Sequence, residues 1–145
     1  MKTCDVYLIG HAHATFGHAV KVGVAGNAAA RLSALQTGNI EDLKLFFSFT
    51  FDNRGIALEV ERLFHLSELA GPVRGEWVGC NPVEALFYLN TIIASVLSRH
   101  YSRDDISEAR RRCGLLESFG LTDHISSEQQ AVLNDRIEIA WEVFG

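Results

Sequence analysis

Cysteine is scarce in this chain, long apolar runs are missing, and there is no surplus of positive charge. Each gap excludes something. The three cysteines, Cys4, Cys80 and Cys113, are far apart and odd in number, which argues against a disulfide framework and for a reducing, cytoplasmic setting. No apolar run approaches the ~18 residues that cross a bilayer, so no membrane segment is expected. Met1-Lys2-Thr3-Cys4-Asp5 leads straight into a strand-like segment, unlike a cleaved secretory leader. There is no glycine-rich phosphate loop, dinucleotide fingerprint or Cys-x-x-Cys pair for zinc, and no internal repeat. The formal net charge is −5, whereas a protein that simply coats phosphate carries a basic surplus. The imbalance is uneven: residues 1–80 hold 7 Lys/Arg against 8 Asp/Glu, and residues 81–145 hold 6 against 10. A local basic patch on the first half is therefore compatible with the total.

What is present suffices for a core. The 145 residues are 48% hydrophobic and 21% charged, ordinary for one globular domain with an appendage. Asp5-Val6-Tyr7-Leu8-Ile9 reads as a strand bounded by Gly10, residues 10–18 as a Gly- and His-bearing hairpin loop, and Ala19 to Val24 as a second strand. Asn27 caps a helix through Ala28, Arg31, Leu32 and Leu35 that stops near Gly38. Leu43 to Phe51 is β-rich with partial alternation and reads as a central strand. Asp52 or Asn53 caps a second helix with the apolar stripe Ile56, Val60, Leu63 and Phe64. Gly71-Pro72 breaks the chain, Gly75-Glu76-Trp77-Val78 is a short strand or extended loop, and Asn81-Pro82 opens a helix expected to reach about Ser98.

This order predicts an α+β fold over residues 1–98: a small mixed or antiparallel sheet of about three strands, flanked by helices. A helical extension over residues 99–145 follows, with helices expected near 104–118 and 126–143. Its last helix carries the stripe Leu133, Ile137, Ala140, Trp141 and Phe144, with Asp135, Arg136, Glu138 and Glu142 off it. Such a stripe is expected to dock on the core or on a second copy, giving a homodimer.

Five short motifs then line up. Val6-Tyr7-Leu8-Ile9, Lys21-Val22-Gly23-Val24, Arg31 to Asn39, Glu61-Arg62-Leu63-Phe64-His65 and Arg74-Gly75-Glu76-Trp77 together resemble the GIY-YIG endonuclease superfamily. The resemblance is to its branch of short phage, bacterial and fungal domains, where Lys opens the second motif and E-x-x-x-H and G-E-W follow. It covers about residues 4–90. It implies metal-dependent hydrolysis of phosphodiester bonds, in DNA before RNA, with one Mg²⁺ or Mn²⁺ ion. Tyr7, Lys21, Arg31 and Glu61 would be the catalytic residues, Glu61 the metal ligand, and His65, Arg74 and Trp77 would bind substrate or support the site. Asp5 stands where the family has Gly, Lys21 where most members have Tyr, and the Asn that follows the metal Glu has no clear counterpart beyond Asn81 or Asn90.

Residue chemistry agrees with that assignment. Phosphodiester hydrolysis needs an activated water, neutralised phosphoryl oxygens and help for the leaving alkoxide. Tyr7 and Lys21 on paired strands can lean over one sheet face, Arg31 offers a planar donor fork for phosphate, and one Glu suffices for magnesium, which keeps several of its waters. The four are expected to share one concave surface. The plainer readings are a core tyrosine, a solvated Arg31, and an i, i+4 surface pair for Glu61 and His65. The apolar stripe does not choose between Glu59 and Glu61; only the family pattern does. His11, His13 and His18 could gather round zinc, but solvated loop histidines are the preferred reading. Arg110-Arg111-Arg112 reads as a face paired with Asp104, Asp105 and Glu108. Two other functions fit the same sequence: an inactive nucleic-acid-binding module, or a protein-interaction domain on a nuclease scaffold.

Overall fold

The computed structural model describes residues 3–11, 19–39, 42–67, 71–74, 77–80, 82–102 and 104–105, with Glu128, Ala131, Val132, Asp135, Ile139 and Glu142 beyond them. The fold is α+β. Strands β1 (Cys4–His11), β2 (Ala19–Ala25), β3 (Leu43–Phe51), β4 (Gly71–Arg74) and β5 (Trp77–Gly79) alternate with helices α1 (Ala28–Thr37), α2 (Arg54–Leu66) and α3 (Pro82–His100). The sheet is antiparallel, in the order β3-β1-β2-β5-β4. Five strands rather than three form it, because the short segments around Gly71 and Trp77 pair with each other and extend the sheet past β2.

β1 is an inner strand between β3 and β2, and β3 is at the edge, not the centre as its sequence suggests. Its broken alternation comes from a bulge. Leu8 pairs with Phe47 and Ile9 with Leu45, so Phe46 is the extra residue. That insertion lets Phe46 and Phe47 both join the larger core cluster. Strand periodicity then sorts the side chains. Cys4, Val6, Leu8, Val20, Val22, Phe47, Phe49 and Phe51 pack with Ala57, Val60 and Phe64 of α2 and Leu86, Leu89 and Ile93 of α3. The alternate positions, Tyr7, Ile9 and Leu43, pack with Ala28, Leu32 and Leu35 of α1. The sheet thus lies between α1 on one face and α2 with α3 on the other.

Side chains close several of the helix ends. Asn27 and Asn53 accept hydrogen bonds from the Ala30 and Ile56 backbone N–H groups at the starts of α1 and α2. Asp5 adds a second clamp, its Oδ2 accepting from Ala28 N at 2.9 Å while Oδ1 accepts from the Thr50 hydroxyl at 2.7 Å. Gln36 closes the far end of α1 against β3, its Oε1 accepting from Leu43 N at 2.7 Å. The expected core boundary at residue 98 falls inside α3, which continues to His100. Tyr101 also belongs to the core, packing on the larger cluster and donating its hydroxyl to Asp52 at 2.7 Å. Asp104 and Asp105 are helical. So are all six described positions beyond them, and each is exposed. The apolar stripe from Leu133 to Phe144 and the Arg110 to Arg112 run lie outside the described residues.

Candidate active site at the edge of β2

β2 brings the sequence-predicted residues toward one another. Lys21 stands in a lateral row between Ile9 of β1 and Trp77 of β5. Two register steps along, on the same face, Tyr7 is opposite Gly23. A Cβ built on Gly23 would lie 2.8 Å from Tyr7 Cζ and closer still to the hydroxyl. The phenol therefore crosses over β2 at Gly23, and glycine at that position is what lets it do so. Tyr7 and Lys21 are both buried, 2% and 3% exposed, on the α1 side of the sheet.

Arg31 is on that side too, exposed on α1. Five helix positions separate it from Gln36, about 140° around the axis. Gln36 faces the start of β3, so Arg31 is on the flank of α1 turned away from β3.

Glu61 is not on that face. α2 follows the edge strand β3 and crosses back on the other side of the sheet, so the expected single concave face does not form from Tyr7, Lys21, Arg31 and Glu61. The two layers meet instead at the edge of β2. Among the described residues β5 pairs with β2 only over Ala19 to Lys21. Beyond that point His65 comes up from α2, its Nε2 2.8 Å from the Val22 carbonyl. Glu61, four residues earlier and on the same flank, is one turn nearer the start of β1. Burial raises the Cys4 thiol above its ordinary range, with Arg54 opposing and Asp5 and then Glu61 adding, which puts the Glu61 charge within electrostatic reach of that end.

The choice between the two glutamates now has a physical basis. They point about 200° apart. Glu59 faces α3, where Oε1 is 3.0 Å from Arg99 and Oε2 is 3.0 Å from His100. Glu61, half-buried, is on the flank that reaches β2. A half-buried carboxylate at a strand edge fits a Mg²⁺ or Mn²⁺ ion, which needs only one or two protein carboxylates.

Other expectations fare differently. Trp77 is half-buried against the α1-side cluster and stacks with His11, ring centroids 5.8 Å apart and 23° from parallel. His13, His18, Glu76, Asn81 and the Arg74 side chain lie outside the described residues. Asp5 cannot join a metal site with His11, since six residues of strand separate them by about 20 Å. Among the described residues no group of three or more ligating side chains gathers. Asn90 does not replace the missing Asn: it is fully buried in α3 and donates to the Leu86 carbonyl at 2.9 Å. The Cys80 thiol is pushed up to about 11 by burial and then by Glu84, which keeps it protonated at neutral pH. Sequence reasoning missed Gly23 and the Val22 carbonyl. The glycine two places after Lys21 was a readable signal; nothing local announces which carbonyl a helix will reach.

Compared with protein-family models, curated proteins and solved structures, the chain matches none.

Proposed function

We propose that this chain is a metal-dependent endonuclease that hydrolyses phosphodiester bonds, in DNA before RNA. The observation that carries the reading is the approach of two layers to one stretch of β2. Tyr7 crosses Gly23 from one face, and the Glu61–His65 flank reaches Val22 from the other. The five motifs resembling the GIY-YIG superfamily support it independently.

In this reading Arg31 holds the non-bridging phosphate oxygens with its donor fork. Tyr7 and Lys21 orient the attacking water and take its proton as the water oxygen bonds to phosphorus. The bond from phosphorus to the sugar oxygen breaks, and the departing alkoxide takes a proton from solvent. Glu61 would hold the divalent ion, Mg²⁺ or Mn²⁺, which when bound would neutralise charge on the phosphoryl group. Trp77, beside Lys21 on β5, and Arg74 would bind substrate or support the site, as the resemblance implies. Two buried free thiols, Cys4 and Cys80, fit a cytoplasmic protein. No helix among the described residues is long and apolar enough to cross a membrane. A homodimer would use the helices beyond residue 102.

One observation favours a second reading, an inactive nucleic-acid-binding module or interaction scaffold: Tyr7 and Lys21 are almost fully buried. Supercoiled plasmid with Mg²⁺, and EDTA as control, separates the two. Nicking abolished by EDTA supports the nuclease. A salt-dependent gel shift without nicking supports the binding module, and neither result leaves the interaction scaffold.

A further inference from the structure

The Val22 carbonyl decides the chemistry of His65. A carbonyl oxygen only accepts, so the ring nitrogen 2.8 Å away, Nε2, carries the proton. In the neutral imidazole Nδ1 is then the ring's acceptor. A histidine fixed through one nitrogen by a backbone carbonyl is the arrangement in which metal-binding imidazoles are oriented. A second donor is one turn away: Glu61 precedes His65 by four residues on the same flank, and both side chains are half-buried. The competing carboxylate, Glu59, is committed to Arg99 and His100.

We propose that Glu61 and His65 hold the divalent ion as a pair, Glu61 through a carboxylate oxygen and His65 through Nδ1, with water in the remaining positions. An oxygen-plus-imidazole set favours Mn²⁺ over Mg²⁺, because imidazole suits transition metals and magnesium prefers oxygen alone. The use of this ion in cleavage rests on the nuclease reading; its binding does not, and is measured without nucleic acid.

Loss of the free Mn²⁺ EPR signal reports binding to the full chain and its variants. The side-chain amide of His65→Gln can still donate to the Val22 carbonyl, so the variant keeps the contact and removes the Nδ1 lone pair. It is expected to bind Mn²⁺ on the order of tenfold more weakly, with a much smaller change for competing Mg²⁺, while Glu61→Gln loses both. Equal Mn²⁺ affinity in wild type and His65→Gln, or no Mn²⁺ binding by wild type, overturns the pair. Long-range ¹H–¹⁵N spectra of the wild-type imidazoles give a readout free of variants. His65 should show a protonated Nε2, and its bare Nδ1 should broaden at substoichiometric Mn²⁺. A protonated Nδ1, or one untouched by the ion, overturns the proposal. Tight Mn²⁺ binding through both residues with intact plasmid would sink the nuclease and leave the metal pair standing.

Discussion

Gly23 shows how closely the residues at the β2 edge are fitted. Its added methyl would drive into the Tyr7 ring, and overpacking of this kind costs about 1–3 kcal/mol. Gly26, two residues past Val24, has nothing within 4 Å of the same probe. Urea unfolding of Gly23→Ala should show the loss, whereas Gly26→Ala should stay within about 0.5 kcal/mol of wild type. Equal effects would mean that Tyr7 does not depend on the space above Gly23. Tyr101 offers a test by pH. Burial first, then its bond to Asp52, pushes its phenol from 10.0 up to about 12. The folded chain therefore holds this proton more tightly than the unfolded chain. The resulting stability is complete below pH 10 and is lost as pH rises from 10 to about 12. Stability measured across that window should fall more steeply in wild type than in Tyr101→Phe. Parallel curves would show that the folded chain does not hold the Tyr101 proton more tightly than the unfolded one.

At the scale of elements, α1 depends on a residue that no helix pattern marks. Asp5 is in β1, yet its carboxylate accepts from the first turn of α1 and from Thr50 of β3. A carboxylate at a helix N-terminus also meets the positive end of the helix dipole. Asp5→Ala should cost about 0.5–2 kcal/mol, the usual range for losing such a cap, read as a lower urea midpoint at unchanged slope. A change within error would mean that Asn27 alone closes the helix. The helices themselves were largely legible, because Asn27, Asn53 and Asn81-Pro82 mark their starts and the stripe from Ile56 to Phe64 marks the buried side of α2. β3 was harder. An inserted Phe46 shifts the alternation, and a run apolar enough for a central strand turns out to form an edge. β4 and β5 are too short for periodicity to show, and they exist only through pairing with each other and with β2. For the site, motif order identified residues, but not the layers that present them. Nothing in Glu61-x-x-x-His65 says that α2 passes on the face opposite Tyr7.

For the whole molecule, the point where the core ends is set by contacts. Arg99 and His100 meet Glu59, and Tyr101 reaches Asp52. A chain ending after Ser102 should therefore unfold in one cooperative transition with native-like circular dichroism, while one ending at Ser98 should lose stability. Failure of the longer truncation to fold would make the remaining residues part of the same core. The opposed directions of Glu59 and Glu61 lead to the most direct test of function. Glu59→Gln removes a partly exposed ion pair worth about 0.5–1 kcal/mol and lies on the α3 side, so cleavage should persist. Glu61→Gln keeps shape while removing the charge at the β2 edge, so nucleic-acid binding should remain near normal. A plasmid-nicking time course at matched Mg²⁺ compares wild type with both variants. Wild type and Glu59→Gln should nick at similar rates and Glu61→Gln should be inactive; Glu61→Gln nicking as fast as wild type, or Glu59→Gln alone being inactive, would contradict the assignment of Glu61.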